Sequence, residues 1–244
     1  MRKEWRLMTD IQKTENRITT YMERSLHLTL KEHFCPDRSM HEVKMGRFVA
    51  DACDGETIFE IQTGNLGPLR KKLEYYLEST DHDVVVVRPV AKNRRILWIN
   101  DEGEIEKAPR LSSKHENIAS GISDLFYLSD LLGRERITFC FPIMEIDEVR
   151  LLDGYGRHKK IRATSADRIA GEIYSIEYIN NKDDVARYIL PLLPDEPFSR
   201  EEMSKSFRLS GLKLWGIQKL LLELELLRCE KDGRRLIFEK NAHY

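Results

Sequence analysis

The chain has 244 residues, of which 41% are hydrophobic and 33% charged, and its formal net charge is −1. This composition is typical of one large globular domain, or one domain plus a small one, and it excludes nucleic-acid binding through bulk positive charge. No apolar run approaches the roughly 18 residues of a membrane span, and the amino terminus lacks the apolar segment of a signal peptide. Four scattered cysteines without a CxxC pair indicate reduced thiols, so we expect a cytoplasmic protein.

The first part of the chain predicts an α/β arrangement. Apolar residues at helical spacing predict a helix over residues 15–34, ending before Pro36. The segment HEVKMGRFVADACDGETIFEIQTG then alternates as strands do around two turns, Met45-Gly46 and Asp54-Gly55. An amphipathic helix within residues 65–80 follows, and the strand DVVVVRPV after it reads as buried on both faces. The fold class is therefore α/β, with helices covering a sheet.

Further strands are expected within RRILWINDEGEIEKAP and ITFCFPIMEIDEVRLL, with a helix over residues 116–132 between them. Residues 153–168 are rich in arginine and lysine, including Lys159 and Lys160, and predict an exposed loop. That loop is either simply solvated or an arm that contacts phosphates.

The last sixty residues read as a separate unit, which divides the chain into residues 1–180 and 181–244. Three helices are followed by a hairpin around Asp232-Gly233, and this order is typical of a winged helix. The candidate nucleic-acid contacts of the third helix and the wing are Lys213, Gln218, Lys219, Arg234 and Arg235. The alternative is a module that docks a protein or forms a dimer, with Trp215 in its core.

The hairpin of residues 48–64 carries polar groups where apolar residues are expected. With a two-residue loop at Asp54-Gly55, Asp51 faces Ile58 and lies diagonally from Glu60. Asp51, Glu60 and Gln62 then share one face, and Glu42 joins it with Lys44 at its edge. The other face is expected to form core and collects Phe48, Ala50, Ala52, Phe59 and Ile61.

Two carboxylates at this spacing can share one cation, and a hard oxygen set favours Mg²⁺ or Mn²⁺ over zinc. Such an ion lowers the pKa of bound water and stabilises charge on a phosphate, as phosphodiester hydrolysis requires. The alternative interpretation places both acids on the exposed face of a one-sided sheet.

The arrangement resembles the PD-(D/E)xK nuclease superfamily, which has the restriction-endonuclease-like fold, over roughly residues 20–90. GRFVAD, ending in Asp51, is similar to the strand of the first catalytic acid, and FEIQTG is similar to the ExK strand. Glu23 resembles the helix acid of the Holliday-junction-resolvase-like branch. The resemblance implies Asp51 and Glu60 as ligands of magnesium, Glu23 as a supporting ligand, and nucleic acid, DNA first, as the substrate, cut by a monomer or a homodimer.

Two departures from the family pattern leave alternatives open. Gln62 stands where the family usually has lysine, and Lys44 is a candidate source of the missing charge. Asp37 also satisfies the bare motif with Glu60. A nuclease-like fold without catalysis, acting as a DNA-binding or regulatory protein, is therefore the second hypothesis, and a protein-interaction module is the third.

Overall fold

The structure, a computed structural model, describes residues 25–100, 102–154, 163–233 and 235–242. Four of the predicted site residues lie outside these ranges: Glu23, Lys159, Lys160 and Arg234. In the described part, groups of two or three strands are separated by α-helices along most of the first 180 residues. The helices are α1 (Leu26–Phe34), α2 (Arg70–Ser79), α3 (Ile118–Ile122), α4 (Lys182–Ile189), α5 (Arg200–Phe207) and α6 (Gly211–Glu223). The strands are β1 (His41–Met45), β2 (Phe48–Cys53), β3 (Thr57–Ile61), β4 (Asp83–Val87), β5 (Val90–Ile99), β6 (Ile105–Leu111), β7 (Ile137–Leu151), β8 (Thr164–Ile179), β9 (Phe198–Ser199), β10 (Leu227–Asp232) and β11 (Arg235–Lys240).

The main sheet is mixed and is centred on the long strand β7. Strands β4 and β5 both run parallel to β7 and pair with the same edge of it, β4 with its first residues and β5 with its later ones. Strand β8 pairs antiparallel with β7. Strands β1, β2 and β3 form an antiparallel meander whose last strand is parallel to β4. Strand β6 closes the other end of the sheet beside β5. The predicted α/β class is confirmed.

Helices cover both faces of this sheet, as the valine-rich strand predicts. Val84 and Val86 face the larger apolar cluster with Leu73 of α2, whereas Val87 faces a second cluster with Leu26 and Leu30 of α1. Alternate side chains of one strand therefore enter two different cores. The strand buried on both faces is confirmed.

The amino-terminal helix is confirmed at its carboxyl end only. It ends at Phe34, before Pro36, and begins at Leu26, where the Ser25 hydroxyl accepts a hydrogen bond from the amide of Leu28. A serine cap satisfies one of the free amides at a helix start, so it sets the boundary locally. Residues 15–24 of the predicted helix lie outside the described residues.

Both predicted turns form, but each lies one residue later along the chain. Met45 pairs with Phe48, so Gly46 is the first residue of its loop, at φ +58°. Cys53 pairs with Ile58, and Gly55 has φ +100°. A glycine at the first loop position suits a type II′ turn, whereas the predicted loops placed it second, as in type I′. The pairing of Asp51 with Ile58 is therefore wrong by two residues.

The basic stretch around residues 153–168 is not a loop throughout. Strand β8 begins at Thr164, so Arg168 is part of the sheet and is half-buried. Strand β8 pairs with β7 over its whole length. The backbone hydrogen bonds of this pairing stabilise a strand that the charged sequence does not predict. Residues 155–162 lie outside the described part.

The carboxyl-terminal unit has the predicted three helices and a hairpin. Ser199 and Glu202 form the capping box of α5, and β9 adds a third strand to the β10–β11 hairpin. The unit packs on the α2 face of the main sheet: Phe207 and Ile217 belong to the same apolar cluster as Leu73. No helix in the described ranges has the length and apolar character needed to cross a membrane.

Candidate functional site

Strands β2 and β3 stop pairing at the acid pair. Their last paired residues are Ala52 and Phe59, and continuation of that register would place Asp51 directly opposite Glu60. Instead, Asp51 Oδ2 accepts a hydrogen bond of 2.7 Å from the amide of Ile61. The carboxylate therefore takes the place of a strand partner at the point where the two strands separate. Ile61, the residue after Glu60 in β3, therefore binds Asp51 of β2 through its backbone amide.

The Asp51 carboxylate also contacts α1. His27 Nε2 lies 3.2 Å from Asp51 Oδ2, and the side chains of His27 and Asp51 are 39% and 18% exposed. Burial alone raises the pKa of Asp51, but the hydrogen bonds from His27 and from the Ile61 amide outweigh it and leave the pKa below the usual value. Asp51 is therefore an ionised carboxylate that orients one nitrogen of an accessible imidazole.

Glu60 is more deeply buried than Asp51 and contacts α2. It is 1% exposed; Lys72 Nζ donates to its Oε2 at 2.6 Å, and Tyr76 Oη donates to its Oε1 at 3.1 Å. Burial raises the pKa of Glu60 to about 7, which Lys72 opposes and the negative charge of Asp51 reinforces. The charge of Asp51 therefore acts on Glu60, and Lys72 acts on both acids.

The expected single acidic face is not formed. Glu60 points to α2, whereas Asp51 bonds to His27 of α1, which covers the opposite face. The expected apolar face is divided as well, since Ala50 joins the α2 cluster and Ile61 the α1 cluster. Strict alternation fails here because the ladder between β2 and β3 ends beside Asp51.

The other predicted members of the site lie around this point rather than in it. The Gln62 side chain donates to the carbonyl oxygen of Asn65 at 2.8 Å, and Lys44 is exposed on β1 opposite Val49. Glu42 forms an ion pair with the buried Lys31 of α1.

The rival acid, Asp37, is exposed and accepts hydrogen bonds from the backbone and hydroxyl of Ser39. Those bonds stabilise a short turn, a local structural role that explains an aspartate at this position.

A cleft of about 400 Å³ opens beside His27. Thr63 and Gly64, which follow β3, form one wall, and Arg168 of β8 forms another. Arg168 Nη1 donates to the carbonyl oxygen of Thr63 at 3.2 Å. Solvent therefore reaches the imidazole that Asp51 orients, although Glu60 itself is buried.

The predicted nucleic-acid residues of α6 divide between an inner and an outer side. Lys213 Nζ donates to Asp124 Oδ2 at 2.5 Å and to the carbonyl of Ser120, and Gln218 is 9% exposed. Lys219 and Arg235 are exposed.

Trp215, expected in the core, is 37% exposed and packs edge-to-face on Phe126 with ring centroids 4.7 Å apart. It therefore lies at the contact between α6 and the segment Ser123–Leu131 that follows α3, instead of in the centre of the unit.

Sequence reasoning missed the three residues that contact the acid pair directly. Lys72 and Tyr76 are four residues apart and so lie on one face of α2, which is a signal that the sequence does contain. His27 and Lys31 show the same spacing on α1, where they contact Asp51 and Glu42. Neither spacing identifies a partner without the tertiary structure.

The chain is thus an α/β protein in which two acids, Asp51 and Glu60, lie where two antiparallel strands separate. Within the ranges that the structure describes, no three His, Cys, Asp or Glu side chains are grouped so that they could hold a metal ion. The family described as "Domain of unknown function (DUF8091)" matches residues 24–180, and the chain belongs to that family.

A relative from Treponema pallidum (strain Nichols), described as "Uncharacterized protein", is 32% identical over 180 residues. The match covers 73% of this chain and 70% of the relative, so it extends over most of both proteins. No solved structure matches the chain.

Proposed function

We propose that the protein is a metal-dependent nuclease that hydrolyses phosphodiester bonds of nucleic acid, DNA first, at Asp51 and Glu60. The observation that carries the proposal is the hydrogen bond from the Ile61 amide to Asp51, which brings the acids of two adjacent strands to the end of their shared ladder. The order helix, three antiparallel strands, helix and parallel strand from α1 to β4 also supports the resemblance to the restriction-endonuclease-like fold.

Lys72 is proposed to supply the positive charge of the family's lysine, whose position is occupied by Gln62 in this chain. Its ammonium group lies 2.6 Å from Glu60 Oε2, although it comes from α2 and not from β3. A positive charge beside the acid pair can stabilise negative charge that develops on a phosphate oxygen. This contact makes the departure at Gln62 compatible with catalysis.

As they stand, the two acids do not converge on one ion, since Asp51 bonds to His27 of α1 and Glu60 bonds to α2 on the opposite face. Asp51 is ionised and partly exposed, and the raised pKa of Glu60 marks a carboxyl group that nearby positive charge would stabilise as the anion. When bound, magnesium or manganese would supply a water of lowered pKa and positive charge beside the phosphate. Asp51 and Glu60 would hold the ion once Glu60 exchanged its contacts with Lys72 and Tyr76 for the metal, with water completing the coordination shell.

His27 is the residue of this chain best placed to move a proton. One of its nitrogens is fixed by Asp51, and the imidazole lines the open cleft. A histidine oriented by a carboxylate can accept a proton from attacking water or donate one to the leaving oxygen. We assign that role to His27.

The test is a cleavage assay with the full chain, Mg²⁺ or Mn²⁺, and labelled single-stranded DNA, duplex DNA and RNA. Asp51→Asn and Lys72→Met should each lower the cleavage rate about 100-fold or more, since each removes a group that acts at the reacting centre. The matched controls are Glu56→Gln and Lys71→Met, which change exposed neighbours in the same hairpin and helix and should leave the rate unchanged.

Wild-type cleavage rates in Asp51→Asn would reject the assigned site. Absence of cleavage on every substrate with either ion would reject the nuclease proposal itself.

The second candidate function is nucleic-acid binding without cleavage. It is favoured by Glu60, whose two oxygens are both occupied by side chains of α2 and which is 1% exposed. The carboxyl-terminal unit, whose helix order and hairpin resemble a winged helix, would then carry the contact through Lys219 and Arg235. Binding that weakens steeply with salt, with no cutting in either metal, would support this candidate over the first.

A further inference from the structure

A second cleft lies between the main sheet and α6. Its volume is about 330 Å³, within the range of pockets that hold small ligands. Residues 63–65 follow β3 at one side, Arg88 follows β4, and Lys213 enters from α6. Both strands are parallel and end here, and the carboxyl ends of parallel strands are where α/β sheets commonly bind ligands.

The charged side chains that line this cleft are unequal in sign. Among the described residues around it, four are cationic and two are acidic. The cations are Arg88, Arg94, Arg168 and Lys213, and the acids are Glu116 and Asp124. A partly dry cleft with an excess of positive charge is a binding site for an anion.

Each acid of the cleft is shared between two cations. Arg88 Nε and Lys213 Nζ both donate to Asp124 Oδ2, at 3.0 and 2.5 Å. Arg88 and Arg94 both contact Glu116, at 3.3 and 3.1 Å. Burial, and then repulsion by Arg88, lower the pKa of Lys213, while Asp124 and Glu116 oppose that change.

Two arginines that line the cleft, Arg94 and Arg168, are the candidates for direct contact with a ligand. Arg94 is half-buried and also lies 3.6 Å from Glu148, while Arg168 donates to the neutral carbonyl oxygen of Thr63. Arginine presents a planar set of donors that matches the oxygens of a phosphate group. Arg168, Thr63 and Gly64 also line the cleft beside His27, so the two clefts adjoin.

We propose that this cleft binds a phosphate group, either of a small phosphate ester or of a nucleic-acid backbone. Arg94 and Arg168 are its direct contacts, and Lys213 and Arg88 supply positive charge from beside Asp124. The proposal concerns binding alone, so it stands whether or not the protein cleaves nucleic acid.

The test is calorimetric titration of the full chain with pyrophosphate, adenosine monophosphate and a 12-nucleotide single strand, in a chelator so that no metal contributes. We expect binding of one phosphate ligand per chain and a rise in melting temperature with ligand concentration. Arg94→Gln and Arg168→Gln should each weaken binding about tenfold or more. Lys107→Gln, at an exposed position of β6, should not.

Competition between the oligonucleotide and pyrophosphate would support a backbone phosphate as the ligand, and binding of pyrophosphate and adenosine monophosphate without the oligonucleotide would support a phosphorylated metabolite. Arg168→Gln provides the test if Arg94→Gln fails to fold. Lack of binding by all three probes, or equal binding by the wild type and folded Arg168→Gln, would overturn the proposal.

Discussion

At Glu60, a carboxyl group with 1% exposure is held between a lysine and a tyrosine of one helix. The sequence identifies Glu60 as an acid within a strand, but not as a group with a pKa near 7. That value depends on burial by α2 and on the charge of Asp51. Near neutral pH the two neighbouring acids therefore differ in protonation, since Asp51 ionises well below that range.

Replacement of Glu60 by Gln should change how stability depends on pH. The pKa of Glu60 is about 7 in the folded protein and 4.5 when unperturbed, so the folded state binds more protons between these pH values. The free energy of unfolding must then fall as pH rises through that range and stay constant above it. From pH 5 to pH 8, we expect wild type to lose up to about 3 kcal/mol relative to Glu60→Gln, measured by urea unfolding.

Glu56→Gln serves as the control, because Glu56 is an exposed acid of the same hairpin. Parallel stability curves for wild type and Glu60→Gln over this pH range would contradict the raised pKa.

At the scale of elements, the turn between β1 and β2 fixes which residues face each other. Gly46 has φ +58°, and a Cβ added to it would lie 1.9 Å from the hydroxyl oxygen of Tyr75. Helix α2 therefore packs directly on this turn, where the left-handed backbone favours glycine and an added methyl group would require the Tyr75 side chain to move.

Gly46→Ala should destabilise the protein more than Gly233→Ala does. Both glycines have φ +58°, but an added Cβ at Gly233 has no atom within 4 Å. We expect about 1 kcal/mol for Gly233→Ala from backbone strain, and about 1–3 kcal/mol more for Gly46→Ala from the collision with Tyr75. Chemical denaturation of both variants measures the difference.

Tyr75→Phe in the Gly46→Ala background should recover part of the loss, since it removes the atom nearest the new methyl group. Equal destabilisation by Gly46→Ala and Gly233→Ala would show that the contact of this turn with α2 adds nothing to the cost of the methyl group.

At the scale of the whole molecule, one apolar cluster joins the sheet to the carboxyl-terminal helices. Tyr76 and Phe139 belong to it together with Phe207 and Ile217. Polar contacts cross the same boundary, since Asn117 donates to the carbonyl of Phe207 at 2.8 Å. A shared core makes the two units unfold together.

Calorimetry of the full chain should therefore show one unfolding transition. Gly216→Ala should lower its midpoint, because a Cβ at this position would lie 2.8 Å from the carbonyl oxygen of Ser123. The expected loss is about 1–3 kcal/mol, and Lys219→Ala, at an exposed position of α6, should cause little change. Two separate transitions in the wild type would contradict the shared core.

The sequence by itself determined the elements whose signals are local. Pro36 limits α1, Ser199 and Glu202 cap α5, and four valines in a row form a strand buried on both faces. Such signals act within a few residues, where steric and hydrogen-bonding preferences of the backbone decide. They sufficed to predict the α/β class and the presence of two neighbouring acids, Asp51 and Glu60, in one hairpin.

The tertiary structure alone decided what surrounds those acids. A turn shifted by one residue changed every pairing in the hairpin, and the ladder ended beside Asp51. The partners of Asp51 and Glu60 come from helices on opposite faces of the sheet, and Arg168 meets Thr63 across 105 residues of chain. Contacts of this kind depend on how whole elements pack, which no local pattern encodes.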